Sequence, residues 1–299
     1  VSNLELIQLL TDEKVEAYQD SGVDTIELIG RYKTLRKKVD KMGLEIATPP
    51  KNSPINATVK RFKTEGAKVE IVKLSKGREL SNYMIVVSNC KDSKEYARAN
   101  KKSLDTYSLV IFAGLHQPSK AISNKTMRVI SKLLRYKYFK LHSFDVAIDH
   151  NGTTNKEKLK NIWGGNIEEY KGTQYHNNPK GQRVQRVVIY DKLKKMTKHH
   201  GQQLEQVQKW ERIEVTIKPD AITNFKDYIE GMKLYEDLQQ IKMNLWLLNI
   251  DMRGYYLNYQ LNGILDNRFL SHKNKSFNAI QSIERFVNSE SSKKRYYIP

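Results

Sequence analysis

Three short runs constrain what this chain can fold into: Phe144-Asp145-Val146-Ala147-Ile148-Asp149, Gln185-Arg186-Val187-Val188-Ile189-Tyr190 and Arg212-Ile213-Glu214-Val215-Thr216-Ile217-Lys218. Each mixes β-branched residues with charge at strand spacing. A strand turns successive side chains to opposite faces. Asp145 and Asp149 therefore share a face with only Ala147 between them. Glu214 shares one with Arg212 and Thr216, while Ile213, Val215 and Ile217 point the other way. On the second run Arg186 and Tyr190 are together. The expected product is a sheet whose polar face carries three carboxylates and a strand-terminal tyrosine.

That set of side chains suits metal-assisted phosphoryl transfer. A phosphodiester repels nucleophiles through its own charge, so carboxylates beside it imply a cation. Asp145, Asp149 and Glu214 offer only oxygen, which favours Mg²⁺ or Mn²⁺. A tyrosine titrates near 10 and needs positive charge nearby to act as a nucleophile. Arg186 and Lys192 are the candidates. The plainer alternative has a packing tyrosine, one of seventeen, and rim carboxylates paired with lysines. The seven histidines form no HxH, HxxxH or HExxH pattern, and no GxxxxGK[ST] run is present, so zinc and nucleotide-hydrolysis readings lack support.

Charge points to the partner. Lys and Arg number 52 against 33 Asp and Glu, a net charge of +19, which attracts polyanions such as DNA. Hydrophobic residues at 39% are enough for a packed core, so the chain is not a disordered basic tail. A single cysteine, Cys90, fits a reducing cytoplasm. No apolar run reaches the ~20 residues of a membrane span, and no signal-peptide core is seen.

The organisation expected from the residues is as follows. Residues 1–46 read as a helical segment with a turn at Ser21-Gly22 and a basic helix carrying Arg36, Lys37 and Lys38, in outline a helix-turn-helix that reads DNA. Residues 47–55 form a proline-containing linker, and residues 56–220 a sheet-centred domain. Within it, residues 69–72 and 83–87 outline a hairpin, residues 107–149 a strand–helix–strand unit, and residues 150–183 polar loops. Residues 221–288 read as helices packed on that domain and residues 289–299 as a flexible basic tail.

The three runs in this order, with Val187-Val188-Ile189-Tyr190-Asp191-Lys192 in the middle and Trp210 opening the last, resemble the Rep_trans family. Its members are replication initiators of rolling-circle plasmids, related to some relaxases of integrative conjugative elements. The resemblance covers roughly residues 65–250. It implies an α+β fold with a central, largely antiparallel sheet of the rolling-circle nickase type. It matches Tyr190 to the nicking tyrosine, Asp145 and Asp149 to the carboxylates of one strand, and Glu214 to the carboxylate of another. The family's glycine- and serine-bearing hairpin before the tyrosine strand is replaced here by Thr173-Gln174-Tyr175-His176-Asn177-Asn178-Pro179-Lys180-Gly181.

The resulting expectation is a cytoplasmic, metal-dependent DNA-nicking and strand-transfer enzyme. Tyr190 would form a 5′-phosphotyrosine in an origin hairpin, leaving a 3′-OH that primes rolling-circle replication. Arg186, Lys192, Lys194 and Lys195 would track the DNA backbone, with Arg36, Lys37 and Lys38 on the N-terminal helix. A host helicase and polymerase are further partners, and a homodimer is a compatible assembly. A relaxase with the same chemistry and a non-catalytic DNA-binding regulator are the alternatives.

Overall fold

The computed structural model describes residues 19–49, 55–77, 80–116, 123–134, 138–150, 166–177, 184–200 and 210–219, with Lys51, Ser53 and Glu157. The expectations for residues 1–18 and 220–299, including the C-terminal helices and basic tail, lie outside the described residues.

The strands are β1 (Gln19–Arg31), β2 (Glu45–Ile46), β3 (Lys68–Lys73), β4 (Tyr83–Ser88), β5 (Tyr107–Phe112), β6 (Phe139–His150), β7 (Asn166–Tyr170), β8 (Thr173–Asn177), β9 (Val184–Asp191) and β10 (Glu211–Ile217). The helices are α1 (Tyr32–Lys41), α2 (Ile55–Thr64), α3 (Lys91–Ala99), α4 (Asn124–Leu134) and α5 (Lys192–His200). All ten strands join one sheet in the order β2-β3-β4-β5-β1-β6-β10-β9-β8-β7. Every ladder is antiparallel. The fold is α+β with a large antiparallel sheet.

The expected strand–helix–strand unit is present as β5–α4–β6, but with β1 inserted between its strands. Both β5 and β6 run antiparallel to β1, so they are parallel to each other and need the helical crossover that α4 supplies. The hairpin of β3 and β4 is also as expected.

The N-terminal expectation is corrected. Residues 19–31, expected as the turn and the start of the basic helix of a DNA reader, are a thirteen-residue strand at the centre of the sheet. Ile26, Leu28 and Ile29 are fully buried, because helices cover both faces of the sheet. Burial alternates from Asp24 to Leu28, with Thr25 and Glu27 half-buried, but Ile29 is buried as well, and apolar residues at 26, 28 and 29 also fit a helical stripe. The basic helix itself exists as α1, which turns out at Gly43 with φ +61°. Within the segment expected as polar loops, residues 166–177 form two strands. They make the β7–β8 hairpin, whose tight turn at Lys171 and Gly172 has positive φ at both residues.

Cross-strand register sorts the helices. Ile71, Ile85, Leu109 and Ile111 form a core with Ile55 and Phe62 of α2 and with Cys90, which leads into α3. Ile111 lies opposite Glu27, and Glu27 opposite Ser143, so α2 and α3 cover the face that continues into the polar side of β6 and β10. On the other face Tyr32 Oη of α1 donates to Glu70 Oε1 at 2.6 Å, and α4 packs against β6.

Candidate active site

The site is a grid set by register. Asp149 lies opposite Arg212 and Arg212 opposite Tyr190, giving one row across β6, β10 and β9. The next row is Ala147, Glu214 and Val188, and the row beyond it Asp145, Thr216 and Arg186. All nine residues share a face. β9 stops after this grid because Asp191 caps α5, its Oδ1 accepting the Lys194 amide at 2.8 Å.

Tyr190 is 6% exposed and donates its hydroxyl hydrogen to Glu214 Oε1 at 2.6 Å. Burial and the adjacent Glu214 push its phenol well above the ordinary tyrosine range, while Arg212 pulls the other way. The Lys195 ammonium lies 4.1 Å from the centre of its ring, on the first turn of α5.

Asp149 is fully buried and its acceptor capacity is taken. Oδ1 accepts from Arg212 Nε at 2.7 Å and from Trp210 Nε1 at 2.9 Å. Oδ2 accepts from Arg212 Nη2 at 2.8 Å and lies 3.2 Å from His116 Nε2. Burial opposes its charge, yet the Arg212 guanidinium and His116 hold the carboxyl well below the usual range. Arg212 also donates from Nη1 to Asp24 Oδ1 at 3.2 Å and from Nη2 to the His116 carbonyl at 3.1 Å, and its Nη1 is 3.7 Å from Glu214 Oε1. Asp24 reaches this guanidinium because the β1–β6 register slips between Val23 and Thr25, leaving Asp24 as the extra residue of a bulge.

Asp145 has a different environment. It is half-buried, and burial followed by the charge of Glu214 pushes its carboxyl up to about 7, against a hydrogen bond from Thr216. Glu27 adds to the same repulsion. Beyond it His142 sits in a second bulge, its Nδ1 3.3 Å from Glu27 Oε2 and its Nε2 3.4 Å from Asp92 Oδ1 of α3. Although burial opposes its charge, these two carboxylates raise the imidazole to about 9.

Of the three carboxylates expected to hold a metal, Asp149 is engaged by Arg212. Among the described residues no three His, Cys, Asp or Glu side chains converge on a metal position. Asp145 and Glu214, diagonal neighbours on β6 and β10, fit a hard divalent ion in another way. Magnesium often uses one or two carboxylates and completes its shell with water and substrate phosphate. Burial first and the neighbouring Glu214 second disfavour the ionised form of Asp145.

Lys192 is 3% exposed; burial and the Arg212 charge lower its ammonium to about 7. Lys194 and Lys195 are exposed and Arg186 is half-buried. Arg36, Lys37 and Lys38 lie on α1, across the sheet from Tyr190. Arg36 is occupied by Glu70 at 3.8 Å and Asp40 at 3.7 Å, whereas Lys37 is exposed. The site residues without a role in the sequence analysis are Asp24, His116, Trp210 and Arg212. Two of them carried a signal: Arg212, two positions before Glu214 on the same face, and Trp210, which opens the third run.

No family model matches the chain, and no curated protein matches it. Among solved structures it is similar to the rolling circle replication initiator protein from Geobacillus stearothermophilus. The identity is 18% over 68% of this chain and 75% of that one, with a TM-score of 0.35. That similarity assigns no role to any residue here.

Proposed function

We propose that the chain is a replication initiator that nicks one strand of origin DNA with Tyr190 as nucleophile. The observation that carries the reading is the 2.6 Å hydrogen bond from the Tyr190 hydroxyl to Glu214 on a polar sheet face lined by Asp145 and Arg212. The net charge of +19 and the resemblance of the three strand runs to rolling-circle initiators support DNA as the substrate.

In this reading Tyr190 Oη attacks the scissile phosphorus, the bond to the 3′ oxygen breaks, and a 5′-phosphotyrosine and a free 3′-OH result. Glu214 is placed to receive the phenolic proton. The raised phenol makes free ionisation costly, so the proton moves as the new P–O bond forms rather than beforehand. A hard divalent ion at Asp145 and Glu214 would neutralise the phosphate charge that otherwise repels the nucleophile. Burial keeps the resting phenol protonated and unreactive until DNA arrives.

The test is incubation of the protein and of Tyr190→Phe with an end-labelled hairpin oligonucleotide, followed by denaturing electrophoresis. Wild type gives a covalent protein–DNA adduct, and Tyr190→Phe binds the oligonucleotide equally well without forming one. An adduct that persists in Tyr190→Phe refutes the assignment.

A further inference from the structure

Arg212 is fully buried, yet it faces three carboxylates: Asp149, Asp24 and Glu214. Asp149 and Asp24 hold it at 2.7 to 3.2 Å, and the third approach, to Glu214 Oε1, is looser at 3.7 Å. The oxygen at the loose end is the one that accepts the Tyr190 hydroxyl. A guanidinium is rigid and planar, so fixing Nε, Nη2 and one side of Nη1 also fixes where the remaining charge is presented. Trp210 and His116 complete the clamp from outside the fork by holding Asp149.

We propose that Arg212 is a positioning residue for strand cleavage: anchored by Asp149 and Asp24, it fixes the Glu214 carboxylate and through it the orientation of the Tyr190 hydroxyl. The inference rests on Tyr190 being the nucleophile. It gives Asp149 a catalytic consequence without a metal: Asp149 aims the arginine. A lysine in place of Arg212 keeps the charge but has no fork to satisfy both anchors, so Glu214 loses its fixed neighbour. Small displacements of a reacting group are costly, on the order of 10²-fold for about 1 Å.

The experiment is a double-mutant cycle read in single-turnover adduct formation on a saturating labelled oligonucleotide. Arg212→Lys, Glu214→Gln and the double variant are compared in rate, in burst amplitude and in oligonucleotide affinity. Positioning through Glu214 predicts a rate about 10²-fold lower in Arg212→Lys, with amplitude and affinity unchanged, and a double variant no slower than Glu214→Gln alone. Multiplicative effects in the double variant, or a fall in amplitude at an unchanged rate, overturn the proposal and leave Arg212 a packing residue. If Arg212→Lys does not fold, Asp24→Asn, which loosens one anchor only, goes through the same cycle with Glu214→Gln, where the same outcomes support or overturn the proposal. Tyr190→Phe is run alongside: an adduct in that variant refutes the nucleophile assignment, whereas its absence with a multiplicative cycle refutes only the role of Arg212.

Discussion

Arg212 and Asp149 stand 63 positions apart in the chain and directly opposite each other on β10 and β6, joined by a two-pronged ion pair at 2.7 and 2.8 Å. Both are buried. Removing one partner of such a pair costs about 3–5 kcal/mol, because the other charge is left without compensation in the core. The ion pair therefore ties the Asp149 carboxylate to the Arg212 fork, whereas Asp145 has no such partner among the described residues of this row.

Asp145→Asn stabilises the free protein and impairs cleavage. The Asp145 carboxyl is raised from its ordinary 3.8 to about 7, so the unfolded chain ionises it first. Stability is therefore lost as pH rises through that interval, and the neutral amide removes the loss. At pH 8 the variant melts higher than wild type when no divalent ion is present, while Mn²⁺ raises the melting temperature of wild type but not of Asp145→Asn. A wild-type melting temperature insensitive to Mn²⁺ and Mg²⁺ would remove the metal from this site.

His142 sets an alkaline limit on stability. Its imidazole rises to about 9 from 6.5, so its contribution is complete below pH 6.5 and lost as pH climbs through about 9. Glu27 and Asp92 are held below the ordinary carboxylate range, so their share is present above that range and lost on acidification. The melting-temperature advantage of wild type over His142→Gln should shrink as pH rises from 6.5 to 9. Parallel curves for the two proteins would show that the triad contributes nothing.

Gly30→Ala destabilises the centre of the sheet. A Cβ at Gly30 would lie 2.5 Å from Cε1 of Phe139, its fully buried partner across β1 and β6. Overpacking of this kind costs about 1–3 kcal/mol. The urea midpoint should fall accordingly, and Phe139→Leu introduced into the Gly30→Ala protein should recover part of it. An unchanged midpoint would mean that the ring moves aside freely.

On α1, Lys33, Lys37 and Lys41 are exposed at four-residue spacing and form one row. Glutamine at all three should weaken duplex binding and reduce the slope of log affinity against log salt by about 2–3, near 0.9 for each phosphate no longer neutralised. Cleavage of a short single-stranded substrate should persist, since the row lies across the sheet from Tyr190. A salt slope equal to that of wild type would make α1 a solvated face.

Alternation along a strand is a local property, and it was therefore determined by the sequence alone. β6, β9 and β10 were legible in their β-branched runs, and with them the shared faces of Asp145 with Asp149, of Arg212 with Glu214, and of Arg186 with Tyr190. The sequence also carried the net charge and the basic helix at α1. What each carboxylate does was decided only by the tertiary structure, because its role depends on which residue lies opposite. Register across β6, β10 and β9 paired Asp149 with Arg212 and brought Tyr190 to Glu214. The bulge at Asp24 added a second anchor from a strand that had looked helical. β1 was misread because its alternation is short: Ile29, buried after Leu28, breaks it, and the same apolar positions fit a helical stripe running into α1.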